Sequence, residues 1–139
     1  MEIITESILL QTQPNIEIIN ISDQVRSLVR NHGISTGQVT VFCPGSTGGI
    51  TTTEYEPGLL QDIPALFEQI APAEKTYKHN ETWHDGNGHS HLRAALTQPD
   101  LTVPVVDGEL TLGTWQQIIF IDFDVPARER KLVVQIIGQ

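Results

Sequence analysis

The sequence predicts an α+β fold in which antiparallel or mixed β-sheet is packed by a few short helices. Three observations carry that expectation. Seven or eight segments are rich in β-branched and aliphatic residues and are separated by turn-forming residues. Three other segments place their apolar residues at helical spacing. The chain, at 139 residues, has room for one domain, residues 1–139, and 39% hydrophobic residues suffice for its core.

Residues 2–11 and 15–21 read as two strands of a hairpin or meander, separated by Thr12-Gln13-Pro14. Ser22 is placed to cap a helix from Asp23 to about Asn31, with Val25, Leu28 and Val29 on one side and Gly33 as its stop. Residues 38–43 alternate as a strand, and Pro44 to Gly49 is a loop by composition. Ile50 to Tyr55 is extended, Pro57-Gly58 reads as a turn, and Leu59 to Ile70 is amphipathic, with Pro64 as an irregularity. Residues 72–91 form a polar excursion, and Ser90 is placed to cap a short helix through Leu96. Leu101 to Val106 is a strand, Asp107-Gly108 is a hairpin turn, and 109–113, 116–122 and 131–137 complete the strands.

Eight Lys and Arg against seventeen Asp and Glu leave a formal net charge of −9, so the chain lacks the electrostatic footprint of a nucleic-acid or anionic-membrane binder. No apolar run is long enough to span a bilayer, and the first residues lack the basic region of a signal peptide. The lone cysteine, Cys43, lies in an apolar run and reads as a core thiol. These features point to a reducing cytoplasm.

Four of the five histidines, His79, His84, His89 and His91, fall in one segment interleaved with Glu81, Asp85 and Asn87. Imidazole is a common metal ligand and a natural acid–base group. On an extended segment His89 and His91 share one face, and Gly86 and Gly88 allow the chain to bring His79 and His84 to them. With carboxylates nearby the set suits zinc, nickel, iron or copper. The loop holding Ser46 and Thr47 could cradle a phosphate or carboxylate with its backbone N–H groups, although by itself it reads as a glycine-rich turn. Glu54 follows three threonines as a candidate base or ligand. Trp115 after Gly113 offers a flat apolar wall, although by itself the segment reads as a bulge with a core tryptophan. Arg128, Arg130 and Lys131 are the one candidate anion clamp, and they read more simply as neutralising nearby acids.

The segments His89-Ser90-His91-Leu92, Leu101 to Gly108 and Leu112-Gly113-Thr114-Trp115-Gln116-Gln117 together resemble the YjbQ family, also called UPF0047 or secondary thiamine-phosphate synthase-like proteins. The resemblance covers nearly the whole chain. It implies a compact α+β sandwich with two to three short helices, a homotrimer with sites near subunit boundaries, and a divalent metal, zinc in first place, at the histidine cluster. It also implies a weak transferase activity that joins a hydroxymethylpyrimidine diphosphate to a thiazole phosphate. By position, Glu54, His79 and His91 become the catalytic candidates. Thr114, Trp115 and Gln116 become substrate-binding candidates, to which the loop residues Ser46 and Thr47, and Asn87, are added from the reading of the residues themselves. Gly45 stands where many members carry a histidine, and His84 and His89 are candidates to replace it. Two other classes fit the same residues. One is a metal-dependent hydrolase or lyase of another small phosphorylated or carboxylated metabolite. The other is a non-catalytic trimeric protein that binds metal or metabolite.

Overall fold

A strand with alternating apolar and polar residues buries one face, whereas an unbroken apolar run buries two. Both kinds occur in the computed structural model, which describes all 139 residues. Its elements are β1 (Glu2–Gln11), β2 (Glu17–Asn20), α1 (Ser22–Asn31), β3 (Thr36–Phe42), β4 (Gly48–Thr53), α2 (Pro57–Ile70), α3 (Lys78–Trp83), α4 (Gly88–Thr97), β5 (Asp100–Val106), β6 (Glu109–Leu110), β7 (Gln117–Asp122) and β8 (Glu129–Gly138).

The strands form two antiparallel sheets. One has five strands in the order β1-β8-β3-β5-β6, and the other has three in the order β2-β7-β4. Val39 and Val41 of β3, Val103 and Val105 of β5, and Leu132, Val134 and Ile136 of β8 face Ile50, Ile118 and Phe120 of the smaller sheet. Val25 and Val29 of α1 close this core. The opposite face of β7 carries Ile119 and Ile121, followed by Phe123, and is covered by Ala94 of α4 with Ile63 and Phe67 of α2. Phe67 meets Phe123 edge to face, with ring centroids 4.9 Å apart. Strand β7 is therefore a central layer, which explains its continuous apolar sequence. No helix is long and apolar enough to cross a membrane.

The α+β sandwich is as expected, and the Asp107-Gly108 turn joins β5 to β6 with both residues at positive φ, 53° and 79°. Several local expectations are corrected. The first two strands do not pair with each other: β1 lies against β8 and β2 against β7, in different sheets. Ser22 does not cap α1, because its hydroxyl accepts the Ile118 N–H at 2.8 Å and ties the helix to β7. Pro57-Gly58 is the first turn of α2 rather than a separate turn, with the Glu56 carboxylate accepting from Gly58 N and Leu59 N. Of residues 109–113 only Glu109–Leu110 form a strand. Helix α3 is a fourth helix that no strong sequence signal announced. Helix α4 begins at Gly88, two residues before Ser90, whose hydroxyl donates to Phe123 O at 2.6 Å instead of capping.

Candidate functional site

The early start of α4 decides where the histidines point. His89 and His91 are helical, not extended, so at about 100° per residue they lie on nearly opposite sides of the helix. The same-face reading is thus corrected. His91 turns toward α3 and meets His79, with ring centroids 4.4 Å apart and planes inclined by 58°. His89 is buried on the other side and its Nδ1 has no hydrogen-bond partner. Burial lowers its pKa and the nearby Arg93 guanidinium adds to the effect. His84 is exposed at the C-terminus of α3 in the left-handed conformation. Two of the four histidines therefore meet, and no three His, Cys, Asp or Glu side chains are arranged to hold a metal ion. The four histidines do not converge on one point: His79 and His91 meet, while His84 and His89 point elsewhere. Asp85, 3.5 Å from His79 Nε2, is the carboxylate nearest the pair.

Asn87 holds His79 and Asp85 together. With its amide nitrogen toward α3 it donates to the Asp85 carboxylate at 2.8 and 3.1 Å and to His79 Nε2 at 3.0 Å. In that orientation Nε2 of His79 accepts, so the neutral ring carries its proton on Nδ1. In that orientation the nitrogen is turned away from Asp124, so Asn87 makes no hydrogen bond to that carboxylate.

Asp124 belongs to a buried polar chain. Its Oδ2 accepts from Arg128 Nε at 2.5 Å and from the Thr47 hydroxyl at 3.1 Å, and its Oδ1 accepts from Val125 N at 2.9 Å. Burial alone would push its carboxyl up, but the Arg128 hydrogen bond, the Val125 N–H, the Arg128 charge and the Thr47 hydroxyl outweigh it and hold the pKa below the ordinary value. Thr47 also accepts from Arg130 Nη2 at 2.9 Å. Arg130 grips Asp122 with two bonds, Nε to Oδ2 at 3.0 Å and Nη2 to Oδ1 at 2.8 Å. Burial opposes the Arg130 charge, yet Asp122 reverses that and raises its pKa. Cys43 lies in the same region; burial raises its thiol pKa, which matches a core thiol.

A cavity of about 220 Å³ opens between the loop after β3 and helix α4, with Gly45, Ser46, Gly48 and His91 in its wall. At this end of the sandwich, then, are two imidazoles, a glycine-rich loop and two arginines. Arg128 is half-exposed, and with Nε committed to Asp124 its two amino nitrogens have no partner. The arrangement can hold an anion and move a proton.

Comparison with known proteins places the chain. The model of UPF0047 protein YjbQ-like sequences matches residues 6–139. The chain belongs to the UPF0047 family. A UPF0047 protein of Methanothermobacter thermautotrophicus is 39% identical over 139 residues, covering 100% of this chain and 95% of that one. One from Archaeoglobus fulgidus is 41% identical over 126 residues, covering 91% and 95%. The crystal structure of a YbjQ-like protein of unknown function from Sulfolobus solfataricus superposes with a TM-score of 0.94 at 33% identity, covering 99% of both chains.

Within this UPF0047 fold the candidate residues divide into two groups. His79, Asn87, His91, Ser46 and Thr47 lie at one end, Ser46 exposed and Thr47 buried. Glu54, Thr114, Trp115 and Gln116 lie at the other. Strand β4 pairs with β7 from Gly48↔Asp122 to Thr53↔Gln117, so five residue steps, about 17 Å, separate the two ends. Glu54 is exposed just past β4 and Trp115 is 73% exposed. Gln116 donates to the Thr52 hydroxyl at 3.0 Å and accepts from Gly113 N at 3.0 Å, which fixes the loop before β7.

Arg128 and Arg130 do neutralise neighbouring acids, as the simpler sequence reading held. Arg130 also reaches the glycine-rich loop at Thr47 and Gly45, and Arg128 joins the same polar chain through Asp124. Asp122 and Asp124 were missed altogether. A signal for them exists: two acids spaced by one residue close the apolar β7 run, and two arginines with the same spacing lead into β8.

Asp124 makes a pH prediction. Because its folded-state pKa is depressed, its contribution to stability is complete above the unfolded value of about 3.9 and is lost as the pH falls through the lower folded value. Urea unfolding from pH 7 down to 3 is expected to show a steeper acid-side loss for wild type than for Asp124→Asn, which starts less stable.

Proposed function

We propose that this UPF0047 protein binds a small phosphorylated metabolite at the His79–His91 end and transforms it by acid–base catalysis. The reaction we assign is thiamine-phosphate formation of the secondary-synthase type. The observation that carries the reading is the His79–His91 pair on the cavity side of α4, at the same end as an arginine whose two amino nitrogens are free. In this reaction a thiazole nitrogen forms a bond to the methylene carbon of the pyrimidine substrate. The carbon–oxygen bond to diphosphate breaks, and pyrophosphate leaves with the electron pair. The developing negative charge needs a cation and a proton donor. Arg128 would take the phosphate oxygens through its free amino nitrogens. His91 would supply the proton, and His79, held by Asn87, would fix the partner ring.

Two supports come from chemistry rather than position. Asp122 and Asp124 are each matched by an arginine, so neither adds unbalanced negative charge beside the loop despite the net −9. The loop of Ser46 and Thr47 adds backbone N–H donors that carry no titratable charge. With both phosphorylated substrates at saturation, His91→Ala and His79→Ala are each expected to lower turnover by about 10²-fold or more. Arg128→Ala is expected to raise KM. Chromatographic assay of thiamine phosphate checks all three, and unchanged turnover in both histidine variants would overturn the reading.

Zinc is the cofactor to test beside it. His79 and His91 would be its imidazole ligands, with Asp85 nearest. Elemental analysis of untagged wild type and His91→Ala is the measurement. Near-stoichiometric zinc that disappears in the variant would favour the second reading, a metal-dependent hydrolase or lyase. No metal in either keeps the acid–base route.

We also propose a homotrimer. Ile3, Leu9, Phe42 and Val106 are exposed on the outer face of the five-stranded sheet, where Lys131 is the one basic residue among β1, β8, β3 and β5. A neighbouring copy would give Glu54, Thr114 and Trp115 a way to approach a histidine pair they cannot reach within one chain. Light scattering on the purified protein is expected to give three times the 15.4 kDa chain mass, and a monomer would remove that route.

A further inference from the structure

Arg130 has one unused arm. Its side chain is buried, and Nε and Nη2 are spent on Asp122 and Thr47. Its Nη1 makes no hydrogen bond. That nitrogen points at Gly45, where an added Cβ would stand 3.5 Å from it. Gly45 has φ +111°, and the cavity beside His91 has Gly45, Ser46 and Gly48 in its wall. The loop also carries spare donors, since the backbone N–H groups of Gly45, Ser46 and Thr47 take no part in the hydrogen bonding of the chain. A buried guanidinium with a free donor thus faces Gly45 in the cavity wall, and the loop that carries Gly45 has three successive unbonded N–H groups.

We infer that Gly45 is a specificity-determining opening through which one oxygen of an anionic group, phosphate or carboxylate, reaches Arg130 Nη1, with the loop N–H groups holding its other oxygens. This deepens the proposed phosphorylated-metabolite reading and rests on it. The charge balance supports a single anionic group here. Asp122 already offsets the Arg130 charge, so attraction comes from directed donors and not from a net positive field. Such donors act over hydrogen-bond distance, so any side chain at position 45 that covers Nη1 competes with the ligand. Asparagine is the sharpest competitor. It tolerates positive φ better than other residues with side chains, and its amide oxygen can accept from Nη1.

The test uses inorganic phosphate, with acetate in parallel, titrated into the full-length protein by calorimetry. Phosphate is expected to bind wild type, to lose affinity by about tenfold in Gly45→Asn, and to lose less in Gly45→Ala, which shares the backbone strain but has no acceptor. Acetate binding with the same dependence on position 45 would assign the opening to carboxylates as well. Should Gly45→Asn not fold, NMR of wild type gives an independent answer. Phosphate is then expected to move the Arg130 guanidinium resonance together with the Gly45 and Ser46 amides. If phosphate binds wild type and Gly45→Asn equally, and Arg128→Ala alone abolishes binding, the opening is wrong while the broader reading stands. Failure of wild type to bind either anion overturns both.

Discussion

The pairing of Arg130 with Asp122 is the constraint on which the rest of the site depends. Arg130 comes from β8 in the large sheet and Asp122 from β7 in the small one, so the ion pair spans the seam between the sheets. Thr12, at the end of β1, donates to the same carboxylate at 2.7 Å, and Thr47, from the loop between β3 and β4, accepts from the same guanidinium. Four separate chain segments are thus held by one buried pair. Breaking such a pair leaves an uncompensated charge and costs about 3–5 kcal/mol, whereas forming it gains far less over an apolar equivalent. Its contribution is therefore better described as geometric. It fixes how β7 ends, and from that end Asp124 reaches out to Arg128 and Thr47.

That geometry explains why some of the molecule could be read from the sequence. Strand β8 alternates Leu132, Val134 and Ile136 inward with Lys131 and Gln135 outward, and period two is enough to recognise it. The Asp107-Gly108 turn is equally local, because both residues accept positive φ. The pairing of β1 with β8 is not local. It joins Glu2 to Gly138 across nearly the whole chain, and no short-range pattern announces it. Ser22 and Ser90 show the same limit on a smaller scale. Each is a good capping residue by type, yet each spends its hydroxyl on β7 or the residue after it.

The histidine segment was legible as chemistry and not as geometry. Four imidazoles in thirteen residues mark a place of interest. Which of them meet depends on whether residues 88–91 are extended or helical, and a shift of two residues in the start of α4 reverses the answer for His89. A buried imidazole with an unpartnered nitrogen and a paired imidazole at a cavity wall are opposite outcomes for residues two apart. Composition contains no term for that difference. The DFD and RER spacings held more of it, since acids and arginines at equal spacing on the two sides of one short connection can pair one to one.

Net charge is misleading in the same way. A chain of −9 looks hostile to a phosphorylated ligand, but Coulomb attraction inside a partly buried site is governed by groups within a few ångströms, and distant exposed acids are screened by solvent and salt. Around the loop after β3, the acids are matched and the surplus lies in donors: two amino nitrogens on Arg128, one on Arg130, and the N–H groups of Gly45 to Thr47. Selectivity built this way reads shape and hydrogen-bond direction more than total charge. It favours a ligand that presents one compact anionic group at the opening and leaves its remaining bulk free. That bulk would lie toward His91 and the helix, where Ala94 and Ala95 leave room because neither extends beyond its Cβ.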